Sequence, residues 1–166
     1  VPGLSVAFAA TALAEQTTRY LALVDGGKQA GQQVVTRADD GTTTVEFVFK
    51  DNGRGPELKE SYTLADDGTY RTYTVQGTST FGAKVDESFQ RNGDQVSWKS
   101  KSDAGQETVP GVGLYAPLGG TPAGISVALG ALAKHNGKLP LLPNGTLSSS
   151  KLGQAQVQRD GKTQTV

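Results

Sequence analysis

Glu60 and Glu87 are the acidic residues whose placement could support chemistry. Each interrupts an apolar alternation: Glu60 falls between Leu58 and Tyr62, and Glu87 between Val85 and Phe89. Alternate residues of an extended chain share a face, so both carboxylates belong to the apolar side of their strands. Two carboxyl groups in apolar surroundings can be driven to different pKa values and act as an acid and a base. The same placement suits a structural role, in which they meet Arg71 or another cation, or sit in water at the rim of a sheet. Asp86 adds nothing to the pair, because adjacent strand residues point to opposite faces.

Other chemistries find fewer residues. His135 is the single histidine and there is no cysteine, whereas a zinc site takes three or four closely spaced His, Cys or carboxylate ligands. A cation near a helix C-terminus accounts for His135 without a metal. Serines are plentiful, but no G-x-S-x-G elbow occurs and no base accompanies them, so Ser148-Ser149-Ser150 is a polar linker. Pro110-Gly111-Val112-Gly113 and Gly119-Gly120-Thr121-Pro122 precede a helix, whose N-terminus can hold an anion. The run Leu114-Tyr115-Ala116 nevertheless breaks G-x-G-x-x-G, and no Walker lysine follows. No catalytic, metal or cofactor set is therefore expected, with Glu60 and Glu87 the remaining candidates.

The elements that would position these residues are mostly strands. Asp-Gly pairs at 25, 40, 67 and 160 and Asn-Gly pairs at 52, 92, 136 and 144 suit tight turns, because both positions tolerate left-handed backbone. Between them Val45, Phe47 and Phe49 share one face, with Thr44, Glu46, Val48 and Lys50 on the other. Leu58, Tyr62 and Leu64 repeat the pattern, as do Val85 and Phe89, then Val96 and Trp98. Turns every 10 to 15 residues predict an antiparallel meander of six or seven strands over residues 18–101.

One-sided alternation requires a cover for the apolar face. Thr121-Pro122 is an N-cap followed by proline in the first turn, and Ile125, Ala128, Leu129 and Leu132 make an i, i+3, i+4, i+7 stripe. Lys134 and His135 fall in the last turn and Asn136-Gly137 supplies a left-handed stop. The expected core joins Phe47, Phe49, Tyr62, Phe89 and Trp98 to Ile125, Leu129 and Leu132. The two prolines of Lys138-Leu139-Pro140-Leu141-Leu142-Pro143 argue against a central strand. Lys151 to Val166 reads as a C-terminal hairpin about Asp160-Gly161. The fold class is thus mostly β (α+β): a meander sheet, one covering helix and a final hairpin.

Sixteen basic and sixteen acidic residues cancel, which speaks against a nucleic-acid binder or a polybasic membrane surface. Residues 1–14 are uncharged and mostly apolar and end in Ala12-Leu13-Ala14 before Glu15. That is the apolar region and A-x-A site of a secretory signal peptide. The alternative is a buried N-terminal helix or strand; fourteen residues are short for a membrane anchor. The expectation is a leader over 1–14 and one periplasmic or secreted β-rich domain over 15–166, continuing past Val166.

Leu114-Tyr115-Ala116-Pro117, the Gly-Thr-Pro start of an Ala/Leu helix, and Lys138 to Gly145 before a closing hairpin resemble the N-terminal extension of secreted bacterial amidohydrolases. The resemblance implies a β-rich accessory domain ahead of a metal-dependent catalytic barrel. That family's H-x-H ligands have no counterpart here, so no functional residue carries over and the expected partner is a C-terminal catalytic domain of the same protein. The architecture is also similar to periplasmic carriers of lipid or lipoprotein acyl chains, which implies an apolar ligand held between sheet and helix. A third possibility, an enzyme in its own right, rests on Glu60 and Glu87 alone.

Overall fold

The computed structural model describes residues 15–150, 153–159 and 161–165; the apolar leader 1–14 lies outside them. Eight strands follow one another in an antiparallel meander: β1 (Gln16–Val24), β2 (Lys28–Arg37), β3 (Thr43–Phe49), β4 (Glu57–Leu64), β5 (Tyr70–Thr78), β6 (Lys84–Asn92), β7 (Gln95–Lys99) and β8 (Ala104–Thr108). Each pairs only with its neighbours in sequence, so hairpin turns alone set the register. The first seven fall in the region where six or seven were expected. β8 is the addition. Its sequence, Ala-Gly-Gln-Glu-Thr, has no apolar alternation, and it pairs because Gly105 admits the Trp98 ring. A Cβ there would lie 2.4 Å from Trp98 Cζ2.

A crossing segment leads from β8 through β9 (Leu114–Tyr115) to the helix α1 (Ala123–Lys134). After the helix come β10 (Lys138–Leu142) and β11 (Thr146–Ser148), which form a three-stranded sheet with β9. β10 is its central strand, contrary to the expectation from the prolines. The physical reason is that β9 pairs only with Leu141 and Leu142, so Pro140 has a neighbour on one side only and its missing N–H disrupts no ladder. β12 (Gln156–Arg159) and β13 (Lys162–Thr165) make the expected closing hairpin.

Registers place the inner-face residues in rows across the meander. One row runs Tyr62, Tyr73, Phe89, Trp98 over β4 to β7, and the next runs Val45, Glu60, Val75, Glu87 over β3 to β6. Tyr62, Tyr73, Phe89 and Trp98 are buried, as is Tyr70, whose ring meets those of Tyr62 and Tyr73 at 5.4 and 5.0 Å between centroids. Leu64 departs from the pattern: the register shifts between Thr63 and Leu64, and Leu64 is exposed.

The helix ends are built as the sequence indicates. Pro122 has helical dihedrals, Thr121 Oγ1 accepts from Ala123 N–H at 3.3 Å, and Asn136 and Gly137 close the far end with positive φ. The buried stripe matches the expected one only at Leu132. Ala123, Val127 and Ala131 face inward with it, while Ile125 is 66% and Leu129 59% exposed. The tyrosines already fill the space above the sheet, so the helix settles through its small residues; Gly68, in the β4–β5 turn, is within 3.4 Å of the Ala131 backbone as measured from an ideal Cβ. Phe47 and Phe49 are only half-buried, and Phe47 lines an open cavity beside the N-terminus of α1.

Candidate functional site

Glu60 and Glu87 both lie on the inner face, and both are buried, at 3% and 4% exposure. They share a row with Val75 between them, which puts their backbones two strand spacings, about 10 Å, apart. Neither meets Arg71, which is exposed, nor lies in water at a rim. The partners are instead tyrosines and main-chain amides of the segment that leads into α1.

Tyr115 donates its hydroxyl proton to Glu87 Oε1 at 2.6 Å. Leu118 N–H lies 3.0 and 3.1 Å from the two carboxylate oxygens, and Gly119 N–H donates to Oε2 at 3.2 Å. Glu60 Oε2 accepts from Tyr73 O–H at 3.1 Å and Thr121 N–H at 2.8 Å, while Oε1 has no hydrogen-bond partner. Burial raises the Glu60 pKa, and the Thr121 amide and Tyr73 hydroxyl only partly oppose it. Burial also raises Tyr73 and Tyr115, reinforced by the nearby carboxylates, so both phenols stay protonated and donate.

Arg91, two rows beyond Glu87 on β6, holds the earlier part of the same crossing segment. Its guanidinium donates to the carbonyls of Val109, Gly111 and Gly113. Glu60, Glu87 and Arg91 together fasten residues 109–121 across the inner face. The glycines allow the close approach: a Cβ at Gly119 would be 2.9 Å from Val85, and one at Gly120 3.1 Å from the Tyr73 hydroxyl. Sequence reasoning found both carboxylates on the apolar face but not Arg91, Tyr73 or Tyr115. The available signal was Arg91 itself, a cation at the inner-face parity of Val85, Glu87 and Phe89.

Lys134 falls in the last turn of α1 as expected, whereas His135 is one residue beyond it, at the C-cap, with Nε2 3.0 Å from the Asp67 carbonyl oxygen. Among the described residues no three His, Asp or Glu side chains gather as a metal site, and no helix is long and apolar enough to cross a membrane.

A second feature lies where the cover stops. A cavity of about 320 Å³ opens between the N-terminus of α1 and the inner face of β1 to β3. Tyr20, Val35, Phe47, Tyr62, Pro122 and Ala123 supply its apolar walls. Gln33 braces the junction by accepting from Ala123 N–H at 3.1 Å, and Arg37 lies at one end of the wall that β2 contributes.

Comparisons with known proteins leave the chain on its own. No family model, no curated protein and no solved structure matches it.

Proposed function

We propose that this chain is the non-catalytic N-terminal module of an exported bacterial amidohydrolase-like hydrolase, whose leader 1–14 is removed before Glu15. The observation that carries the proposal is the uncovered outer face of α1. Ile125 and Leu129 stand one turn apart and largely exposed on a helix whose inner face is already packed. Two large apolar side chains in that position suit a docking surface for a following catalytic domain. The carboxylates fit a passive role, since Glu60 and Glu87 bind the module's own main chain instead of converging on a shared space.

The test is to read and express the complete gene product. An H-x-H motif past Val166 is expected, with metal-dependent hydrolysis of amide or ester substrates that residues 15–166 alone lack. Ile125→Asp with Leu129→Asp should lower the melting temperature of the complete protein and leave that of the isolated module unchanged. A coding sequence that stops soon after Val166, or turnover by the module itself that Glu87→Gln abolishes, overturns the proposal.

A second reading is favoured by the cavity beside α1: a periplasmic module that holds the apolar chain of a lipid or lipoprotein. At about 320 Å³ the cavity is at the small end of the range for ligand sites, so a single chain is the most it would take.

A further inference from the structure

Among the residues that line the cavity beside α1, Arg37 is the one that carries a charge. Along β2 the inner-face residues are Gln33, Val35 and Arg37, and each stands opposite its own partner on β3: Phe47, Val45 and Thr43. Four residues of strand separate Gln33 from Arg37, a span of about 13 Å. Near Gln33 the walls are Tyr20, Phe47 and Pro122, and the Gln33 carbonyl is already committed to the Ala123 amide. At the other end the Arg37 side chain is exposed and takes part in no ion pair among the described residues, which pair Lys50, Lys59 and Lys84 instead.

The charges around Arg37 leave it available. Glu15, at the start of the described chain, lines the opposite face of the sheet with Val34 and Thr36. Glu60 lies in the next row, but its Oε2 is turned to Tyr73 and Thr121. Tyr62, separated from Arg37 in the row by Thr43, is neutral because burial raises its pKa. A largely apolar cavity whose one charged lining residue is an exposed guanidinium has the polarity of a single-chain amphiphile with an anionic head.

We propose that the cavity binds a long-chain carboxylate, its chain along Val35, Phe47 and Tyr20 and its head on the Arg37 guanidinium. The inference rests on the apolar-chain reading above and adds the charge and the direction of the ligand. A guanidinium matches a carboxylate with two parallel N–H donors, which an alcohol of the same chain length cannot use.

Calorimetric titration of the chain with dodecanoate and with dodecanol, both below their aggregation limits, tests this. Dodecanoate should bind about tenfold or more tightly than dodecanol, as expected of a charge-assisted contact. Arg37→Gln, at an exposed strand end where folding is insensitive, should bring the two ligands to near parity by weakening dodecanoate alone. Val35→Asp should remove both. Equal affinities in the unmodified chain, or a preference that survives Arg37→Gln, overturn the assignment of the head while the apolar-chain reading stands. If neither ligand binds, both fall.

Discussion

The two halves of the meander share hairpin connections and have different fates. β3 to β7 alternate apolar and polar residues, whereas β1 carries the continuous apolar run Tyr20 to Val24 and β2 the pair Val34-Val35. Over β4 to β7 the inner face is closed: α1 lies on the tyrosines, and the segment 109–121 is tied down by Glu60, Glu87 and Arg91. Over β1 to β3 the cover is partial: Val35, Thr43 and Val45 are buried, but Tyr20 is 53% exposed and Phe47 and Phe49 are half-buried. Alternation therefore specifies which face is apolar but not whether that face is covered. The cover is decided by polar groups placed among the apolar ones. Each buried carboxylate or guanidinium on the inner face demands partners, and the nearest supply is an irregular segment rich in unpaired amides and carbonyls.

The largest expected contrast separates two phenylalanines at matched inner-face positions. Phe89 is buried and stacked on Tyr115, with centroids 4.5 Å apart and planes at 12°. Phe89→Ala should cost about 3–5 kcal/mol in a denaturant titration. Phe47→Ala, on the open side, should cost about 1–2 kcal/mol, since much of that ring remains in water. Equal losses at the two sites would mean that the halves are not differently covered. A smaller contrast lies within α1. Leu132→Ala should destabilise by about 2–4 kcal/mol, and Leu129→Ala by less than about 0.5 kcal/mol, because Leu129 packs on nothing in this domain. A large loss at Leu129 would turn the helix over and return the stripe to the orientation its periodicity suggests.

That stripe shows where sequence reasoning succeeds and where it stops. Strand positions, the parity of Glu60 and Glu87, the Thr121-Pro122 start and the Asn136-Gly137 stop all follow from local rules, in which backbone conformation is set by neighbours in sequence. The rotation of α1 does not follow, because it depends on what already occupies the space beneath it. Ile125, Ala128, Leu129 and Leu132 form the more hydrophobic stripe, but of these only Leu132 is buried, beside Ala123, Val127 and Ala131 over the tyrosines. The same limit applies to the carboxylates. Their face could be read from Leu58, Tyr62, Val85 and Phe89, whereas their partners are 13 to 61 residues distant in sequence and include main-chain amides that have no sequence signature. β8 was missed for a third reason: a strand whose inner position is a glycine under a tryptophan has no apolar residue to reveal it.

The finest test of the closed half is the pH dependence conferred by Glu60. Its pKa is raised above the ordinary value of 4.5, with burial the leading cause. The folded chain therefore binds a proton at Glu60 more tightly than the unfolded chain does, and stability falls as pH rises from about 4.5 through the folded value. Glu60→Gln removes this titration while keeping an amide oxygen for the Thr121 N–H and Tyr73 O–H. The groups facing Glu60 leave the difference clean. Tyr62, Tyr70 and Tyr73 have raised pKa values and stay neutral across this range. The stability of the variant relative to the parent, measured by denaturant titration at pH 4 and at pH 7, should thus increase with pH. A relative stability that does not change, or one that moves the other way, would mean that Glu60 is well solvated or better paired as an anion. Glu60 would then hold the Thr121 amide as an ionised carboxylate.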